Sequence, residues 1–433
     1  MNFACRFTVA VAAALSLVAA GCSSESIDDE LTEVVEGTDD AEGTEENEGT
    51  EDENQVDNTR YDLELAEGEA EIVSGYNRQS IKLLDKLAVD NTTNVYTSPM
   101  SLNILLSMFA NGVTGEARTE LLDYLGANSL TRLNTFNTKL MDELAKLDNQ
   151  TVLHMANSLW GAPGFSVLSS YRDMIGTSYH GSFYEDIPLS TEQGRSAINQ
   201  WCSEKSEGLI PEFLEQPLDP ATQYFLVNTL YFKGKWTGKF DKDLASIRPF
   251  TAADGTQAYA NYMEGTKTLN TVEKNGTRVL ELPFGNSAFV LDILMPAEGT
   301  AVKSMLADTQ IISMLDEISE ARVRVRLPKF KIEYKHDHLV NVLKGIGLTK
   351  LFDNADFSEM TSAAISKVDV IKQKNVFEID ETGAEAATVT GGGVVTAPGQ
   401  SEIQIISFDR PFMFIVRESS TGLFVSLGVV NKI

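Results

Sequence analysis

The sequence predicts an α+β protein, in which a helical region is followed by mostly antiparallel strands. In early segments such as "SIKLLDKLA" and "SLNILLSMFANGV", apolar residues recur at spacings of three and four. Later segments such as "YFLVNTLYF" and "RVRVRLPKFKIEY" combine β-branched or aromatic residues with alternation or continuous apolar runs. Such separation of helices and strands along the chain is typical of the α+β class.

Local signals place the individual elements in order. Ser98-Pro99 precedes the second helical segment and suits a helix start, because proline is favoured in the first turn. Helical spacing continues through "TRLNTFNTKLMDELAKL" and "RSAINQWCSEKSEGLIPEFL", and strands are expected at "RVLELPF", "FVLDILMP" and "EIQIISF". The last apolar runs, "RPFMFIVRE" and "LFVSLGVVN", flank "SSTG" and predict a hairpin buried on both faces.

The first 22 residues resemble a bacterial lipoprotein signal. Arg6 lies in a short n-region, "TVAVAAALSLVAA" is apolar, and "AGC" ends at Cys22. The apolar run is shorter than the roughly 18 to 20 residues that span a membrane. We expect residues 1–21 to be removed and Cys22 to carry a lipid, although Ala19 stands where leucine is more usual and another cleavage bond is an alternative. Cys202 is then the only other cysteine of the mature chain, so no intramolecular disulfide is expected.

An acidic segment follows the predicted lipid site. Between Ser23 and Glu71 there are 21 acidic residues and one basic residue, Arg60, which accounts for most of the net charge of −28. Low hydrophobicity and like charges predict that residues 22–69 form a disordered tether. From about residue 70 the periodic patterns continue without another low-complexity linker, so residues 70–433 are expected to form one domain.

The charge distribution also bears on location and partners. The start of the acidic segment, "SSESIDDE", resembles acidic export tags of bacterial surface lipoproteins, and a plain solvated linker is the alternative. We expect an exported protein that is lipid-anchored in the outer membrane and faces the cell surface, with the periplasmic face as an alternative. The remaining chain is only mildly acidic, so no nucleic-acid partner is expected, and membrane contact is expected only through the lipid.

Catalytic and metal-binding patterns are scarce. The chain has four histidines and no G-x-S-x-G motif, which gives no support to a Ser/His/Asp hydrolase. "HDH" at His336–His338 offers two ligands on one strand face, but it adjoins a helical pattern. "GKWTGKF" lacks the spacing and the Ser or Thr of a phosphate-binding loop. The sequence therefore predicts no enzyme, no cofactor and no metal site.

Five segments resemble the serpin family and occur in serpin order. They are "NVYTSPMSLNILLSMFANGVTGEARTEL", "LVNTLYFKGKWTGKF", "LPKFKIEY", "IDETGAEAATVT" and "FDRPFMFIVRESSTGLFVSLGVV". The resemblance covers essentially all of residues 70–433. It implies the serpin fold, with three β-sheets, eight or nine helices and an exposed reactive-centre loop. It also implies a monomeric suicide-type serine protease inhibitor, whose cleaved loop inserts into the main β-sheet, and this insertion is a recognised example of strand addition.

The resemblance also assigns roles to individual residues. It implies a loop hinge at Glu381, Gly383, Ala384, Glu385, Ala386, Ala387 and Thr388. It implies a polar sheet-opening cluster at Ser98, Ser101, Asn228 and Gln373, where Gln373 stands in place of the histidine of many serpins. Trp236 and Lys329 match the entry region of the loop, and Lys329 with Glu381 resembles a hinge salt bridge. Ala384 stands where threonine or serine is usual, and the loss of a hydroxyl should be tolerated there.

The loop sequence is compatible with insertion as a strand. Counted from Ala384, every second residue as far as Thr396 is small or β-branched and uncharged, as a strand in the middle of a sheet requires. Glu385 falls on the opposite face. Gly391–Gly393 oppose insertion, because each glycine in a strand costs roughly 0.5 to 1 kcal/mol relative to alanine. A non-inhibitory serpin that serves as a surface binding module is therefore the alternative function.

The sequence constrains the scissile bond and the target protease less closely than it constrains the family. The family spacing from Gly383 places the bond after Ala397, and counting back from "RPF" places it nearer Gln400. Pro398 would hinder cleavage after Ala397, so the expected region is Val395, Thr396, Ala397, Pro398, Gly399 and Gln400. Between Gly383 and Ser407 there is no lysine, arginine or aromatic residue. This composition predicts an elastase-like or subtilisin-like target, with papain-like cysteine proteases as an alternative.

Overall fold

The structure is a computed structural model that describes residues 59–90, 92–307, 310–384 and 403–433. The predicted signal peptide, Cys22 and the tether as far as residue 58 lie outside these residues. The same holds for the loop positions Glu385, Ala386, Ala387 and Thr388 and for the predicted scissile region 395–400.

Ten α-helices occur in the described residues, most of them before the strand-rich part of the chain. Their bounds are α1 (Glu69–Leu87), α2 (Pro99–Gly112), α3 (Gly115–Leu125), α4 (Leu130–Glu143), α5 (Ser169–Tyr179), α6 (Glu192–Lys205), α7 (Val302–Leu306), α8 (Gln310–Leu315), α9 (Leu339–Gly345) and α10 (Lys350–Asp353). Pro99 is the first residue of α2, directly after Ser98. The predicted helix start is therefore confirmed.

The described residues also form fifteen strands. Their bounds are β1 (Val95–Thr97), β2 (Thr151–Gly161), β3 (Ser182–Tyr184), β4 (Tyr224–Lys235), β5 (Ser246–Thr251), β6 (Gln257–Lys274), β7 (Thr277–Phe284), β8 (Phe289–Met295), β9 (Ser319–Pro328), β10 (Phe330–His336), β11 (Gln373–Asp380), β12 (Gly383–Ala384), β13 (Gln404–Ser407), β14 (Phe412–Glu418) and β15 (Phe424–Val430). β14 and β15 pair antiparallel and all their residues are buried, as the two terminal apolar runs predict.

Hydrogen bonding joins these strands into two mixed sheets. The larger sheet has nine strands in the order β1-β15-β14-β8-β7-β6-β9-β13, with β5 paired to β6. The smaller sheet has six strands in the order β10-β11-β12-β4-β2-β3. The α+β fold class is confirmed. The three sheets of the prediction correspond to two hydrogen-bonded networks, because β6 is 18 residues long and pairs with β5, β7 and β9 along its length.

The main core lies against α2. Every residue of α2 is buried, and the helix packs on β4 of the six-stranded sheet and on β15 of the nine-stranded sheet. A second apolar cluster includes Trp160, Trp201 and Phe225 and packs beneath α6. None of the helices in the described ranges is both long and apolar enough to cross a membrane.

The chain joins the fold before the predicted tether boundary at residue 69. The backbone N–H of Tyr61 donates to the carbonyl of Leu147 at 2.8 Å. Leu63 is 3 % exposed and belongs to the main core. The prediction of disorder is therefore wrong for residues 59–69, because an apolar anchor within an acidic stretch is enough to hold it against the domain.

Candidate functional site

The turn after β11 returns the chain into the six-stranded sheet as the short strand β12. β12 pairs antiparallel with the end of β11 on one side and with the end of β4 on the other. Ala384 lies between Ile379 and Gly234, and only 2 % of it is exposed. In the described residues no ladder joins β11 directly to β4. We call the strand position between β4 and β11 the central position, and β12 occupies its first two residues.

Glycine is the only residue type that fits position 383, at the start of β12. Its φ is +144°, a conformation that residues with a side chain rarely adopt. A Cβ atom added there would lie 2.1 Å from the carbonyl oxygen of Gly234 and 2.6 Å from Cα of Lys235. Both neighbours are backbone atoms of β4, so the close approach of β12 to β4 requires glycine at this position.

Replacing Gly383 with alanine is expected to destabilise the uncleaved protein by about 3 kcal/mol, because backbone strain and a backbone contact act together. Urea unfolding measures this loss. Gly299→Ala is the matched control, since Gly299 has a φ of +78° but open space around its Cβ position. The control should lose about 1 kcal/mol from strain alone. Equal losses in the two variants would show that β12 does not lie tightly against β4.

Trp236 holds the turn between β11 and β12. Its indole Nε1 donates to the carbonyl of Asp380 at 2.7 Å, and its backbone N–H donates to the carbonyl of Thr382 at 2.9 Å. The indole ring stacks on Phe284, with ring centroids 4.6 Å apart. Trp236 therefore connects the end of β4 to the turn between β11 and β12.

Charged groups support the same turn. Lys329 Nζ lies 2.6 Å from a carboxylate oxygen of Glu381, which is 4 % exposed. The backbone N–H of Phe240 donates to the carbonyl of Glu381 at 3.1 Å. The ammonium of Lys267 lies 4.5 Å from the centroid of the Phe240 ring and donates to the carbonyl of Lys239, and burial lowers the pKa of Lys267 to about 8. The structure thus brings Lys329 and Glu381 into the predicted contact.

A polar cluster lies further along β4, beneath the sheet. The Ser101 hydroxyl donates to Oδ1 of Asn228, a residue of β4. Nδ2 of Asn228 donates to Oδ1 of Asn157 on β2 at 2.7 Å, and Nδ2 of Asn157 donates to the carbonyl of Tyr179 at 2.7 Å. This chain of side-chain amides links α2, β4, β2 and the end of α5.

Gln373 joins the other side of the central position to the start of α2. Its Nε2 donates to the carbonyl of Ser98 at 2.8 Å, and its Oε1 accepts from the Thr97 hydroxyl at 2.6 Å. The Ser98 hydroxyl in turn donates to the carbonyl of Val425 at 3.1 Å. The amide at residue 373 therefore both donates and accepts, as the sequence analysis expects of glutamine in place of histidine.

Sequence reasoning missed two members of these networks. Asn157 is 1 % exposed on β2 and connects Asn228 to α5, and Thr97 is fully buried at the end of β1. A buried asparagine within an apolar strand such as "LHMANSLW" was the available signal for Asn157, because a buried amide needs polar partners. Thr97 precedes the Ser98-Pro99 helix start and gave no separate signal.

The loop hinge and the polar cluster lie at different points along the central position between β4 and β11. Ile379 of β11 and Gly234 of β4 flank Ala384 in register. Counted further along both strands, this register would bring Gln373 of β11 and Asn228 of β4 level with each other on opposite sides of the central position. A cavity of about 520 Å³ lies beyond these residues. It is lined by the start of β4 and by the segment that precedes β11, and its lining residues include Tyr224, Leu226, Ile365, Val368 and Val370.

The described residues around β12 supply hydrogen-bonding side chains and no metal cluster. In the described ranges no group of three or more His, Cys, Asp or Glu side chains is placed to bind a metal. The side chain of His336 accepts the backbone N–H of His338 at 3.3 Å. The two residues of β12 pair with both β11 and β4, and the polar side chains of Asn228 and Gln373 lie further along these two strands.

Fold and site together define an α+β protein in which a two-residue strand, β12, lies between β4 and β11 of the six-stranded sheet. Residues 74–433 match the family model described as "Serpin (serine protease inhibitor)". The chain belongs to the serpin family, whose members are generally protease inhibitors rather than enzymes.

Individual relatives agree with this assignment. Serpin B6 of Macaca fascicularis is 31 % identical over 357 residues, which cover 79 % of this chain and 94 % of the relative. The native structure of the thermophilic serpin tengpin superposes with a TM-score of 0.77 at 24 % identity, covering 86 % of this chain and 96 % of tengpin. Thyroxine-binding globulin in complex with thyroxine gives a TM-score of 0.74 at 22 % identity, covering 84 % and 99 % of the two chains. Both structural likenesses concern the fold alone.

Proposed function

We propose that the protein is a suicide-type inhibitor of serine endopeptidases that acts by cleavage of its loop and insertion of the cut loop into the six-stranded sheet. One observation carries the proposal: β12 lies antiparallel between β11 and β4, two residues deep in the central position. After cleavage, the loop extends this strand and draws the attached protease with it, so that the acyl-linked protease is distorted before hydrolysis is complete.

After cleavage, we expect later loop residues to follow the register of β12. In a strand continued from Ala384, Ala386 would fall between Phe232 and Phe377, and Thr390 between Asn228 and Gln373. Small residues thus fall beside buried aromatic side chains, and a hydroxyl falls beside the polar cluster. This match of residue size and polarity supports insertion as a strand.

In the same expected register, Gly391–Gly393 and Val394 would lie at the far end of the central position. Val394 falls opposite Tyr224, a lining residue of the cavity of about 520 Å³. The glycines weaken the inserted strand by roughly 0.5 to 1 kcal/mol each. Against this, about a dozen inserted residues add ladder hydrogen bonds worth roughly 0.5 to 1.5 kcal/mol each, a gain on the order of 10 kcal/mol. The ladder term exceeds the glycine penalty, which supports the proposal of insertion.

The loop composition supports elastase-like or subtilisin-like proteases as targets, with papain-like cysteine proteases as the next class. Between Gly383 and Ser407 the chain offers small aliphatic and polar side chains and no lysine, arginine or aromatic residue. Trypsin-like and chymotrypsin-like proteases therefore lack a favourable side chain for their specificity pockets. The scissile bond belongs to residues 395–400.

Mixing the protein with elastase and separating the products on a denaturing gel tests the proposal. We expect a covalent complex larger than the inhibitor by about the mass of the protease. Mass measurement of the released C-terminal peptide then identifies the cleaved bond. Subtilisin and papain are run in parallel, and trypsin serves as the protease that the composition disfavours. Clean loop cleavage by all three favoured classes, without a larger band, would contradict inhibition.

A non-inhibitory serpin that serves as a surface binding module is the second candidate. Gly391–Gly393 favour it, because a glycine-rich loop is a weak strand. The fold neighbour thyroxine-binding globulin is described in complex with thyroxine. This alternative predicts cleavage without a covalent complex and without a rise in melting temperature after cleavage.

The proposed location of the protein is the surface of a bacterial cell, where a lipid on Cys22 anchors it to the outer membrane. The periplasmic face of that membrane is the alternative. The signal-like residues 1–21 and the acidic segment that follows support the proposed location. Metabolic labelling with a radioactive fatty acid, compared with Cys22→Ser, tests the anchor. Protease treatment of intact cells distinguishes the two membrane faces.

A further inference from the structure

Three arginines of β9 lie on one outer face of the nine-stranded sheet. Arg322, Arg324 and Arg326 alternate with the buried Val323 and Val325, so their side chains point away from the core. Arg322 and Arg324 are exposed, and Arg326 is half-buried. Alternate residues of a strand are about 6.6 Å apart, so the three guanidinium groups form an evenly spaced line. We call these three residues the arginine row, and it is a positive surface on a chain whose net charge is −28.

A single buried carboxylate holds one end of the arginine row. Glu264 of β6 is 2 % exposed, and its Oε2 accepts from Arg324 Nη2 at 3.3 Å and from Arg326 Nε at 3.2 Å. Its Oε1 accepts from Arg248 Nε at 2.6 Å and from the Ser246 hydroxyl. Burial raises the pKa of Glu264, but hydrogen bonds from Ser246, Arg248 and Arg326 outweigh burial and lower this pKa to about 2. Three guanidinium groups therefore share one negative charge, and the surface around Glu264 keeps an excess of positive charge.

The arginine row keeps most of its hydrogen-bonding capacity for a partner. A guanidinium group has five N–H donors in a planar fork that matches the geometry of a carboxylate. Arg324 is 47 % exposed and donates to Glu264 through one nitrogen. Arg322 forms no ion pair with any residue that the structure describes. Glu320, two residues before Arg322 on the same face, is the only acidic residue of β9.

Uncharged side chains flank the arginine row on both sides. On β6, the exposed Thr266 and Thr268 pair with two of its arginines. On β13, Ile405 pairs with Arg324 and is 45 % exposed, and Ile403, two residues earlier, is 42 % exposed. Paired residues of adjacent strands share a face, so an exposed isoleucine lies directly beside an exposed guanidinium group. Apolar contact next to the charges would exclude water from an ion pair and strengthen it.

We propose that this face of β6, β9 and β13 is a docking surface for an extended acidic segment of a partner protein, whose alternate carboxylates pair with Arg322 and Arg324. Charge complementarity supports this partner, and Glu264 already shows that these arginines bind a carboxylate. The spacing of the row equals the spacing of alternate side chains in an extended peptide, so carboxylates can meet the arginines one by one.

The isoleucines favour a peptide over a sulfated polysaccharide. Glutamate side chains carry methylene groups that can pack on Ile405, whereas a sugar ring presents mostly hydroxyl groups. The inference does not depend on the proposed function, because none of these residues belongs to the loop hinge or to the polar cluster beneath the six-stranded sheet.

Fluorescence anisotropy of a short labelled peptide, in which glutamate and threonine alternate, tests the proposal with the full chain. We expect saturable binding that weakens as salt is added. Arg322→Gln and Arg324→Gln should each raise the Kd about tenfold, since each removes a charge-assisted pair. Ile405→Ser should raise the Kd about threefold through loss of apolar contact. Arg78→Gln is the matched control, because Arg78 is exposed on α1 and its loss changes the net charge equally, and it should leave the Kd unchanged.

A second peptide, with the same number of glutamates at every third position, tests the spacing and should bind more weakly. Equal binding of the two peptides, or an equal loss in Arg78→Gln and Arg322→Gln, would show unspecific attraction and overturn the proposal. Binding of dextran sulfate through the arginine row without binding of either peptide would also overturn it. Arg322→Gln keeps the test valid if Arg324→Gln lowers stability, since Arg322 has no ion pair to lose among the described residues. Covalent trapping of elastase is a separate measurement, so a failure here leaves the proposed function as it stands.

Discussion

Cutting the loop within residues 395–400 is expected to raise the melting temperature of the protein by an amount on the order of 20 °C, because about a dozen new strand residues gain ladder bonds on both sides. β12 supplies the start of this strand, since it is already paired with β11 and β4. Differential scanning calorimetry of the intact and the cleaved protein measures the change. The cut must leave both fragments associated, which gel filtration verifies.

The control for this experiment is a cut in the acidic segment before Thr59. Residues before Thr59 are remote in sequence from the loop, and their removal adds no strand to the sheet, so it should not raise the melting temperature. An unchanged or lower melting temperature after loop cleavage would contradict insertion and favour the surface binding module.

Ala384→Glu is expected to abolish trapping and turn the protein into a substrate. Ala384 is 2 % exposed between Ile379 and Gly234, and burial of an unpaired carboxylate there costs several kcal/mol, so we expect the glutamate to leave the sheet before cleavage. Insertion after cleavage must then bury the carboxylate. A barrier higher by about 3 kcal/mol slows insertion by more than a hundredfold, so the protease completes hydrolysis first. The measurement is the ratio of covalent complex to cleaved protein with the protease that the original chain traps.

Ala384→Ser is the matched variant for this prediction. Serine adds one small hydroxyl at the same buried position and no charge, so most of the covalent complex should remain. A glutamate variant that still traps protease as well as the serine variant would show that residue 384 stays outside the sheet during the reaction, contrary to the register of β12.

Much of the fold was predictable because the spacing of apolar residues and the local composition determine where helices and strands form. The α2 start at Pro99 and the buried terminal hairpin follow directly from such signals. The division of strands among sheets was not predictable in the same way. It depends on how far β6 extends past its neighbours, and an 18-residue strand serves three partners at different points of its length.

The candidate site shows the same division between local and long-range information. The contact between Lys329 and Glu381 could be anticipated from the resemblance, since both positions match family segments. The reason for glycine at residue 383 could not, because it depends on a carbonyl oxygen of β4 about 150 residues earlier in the chain. The amide of Asn375, whose Nδ2 has no hydrogen-bond partner among the described residues, was equally hidden, since an asparagine in a strand pattern does not show whether its partners are present.

The position of Trp236 gives the protein a natural fluorescent reporter. The chain has three tryptophans, and Trp160 and Trp201 lie together in the cluster beneath α6, with ring centroids 6.4 Å apart. Only Trp236 contacts the turn that leads into β12, through its indole N–H and its backbone N–H. Its emission therefore senses the solvent and hydrogen bonding of the hinge, so the timing of insertion can be followed in solution without attaching a dye.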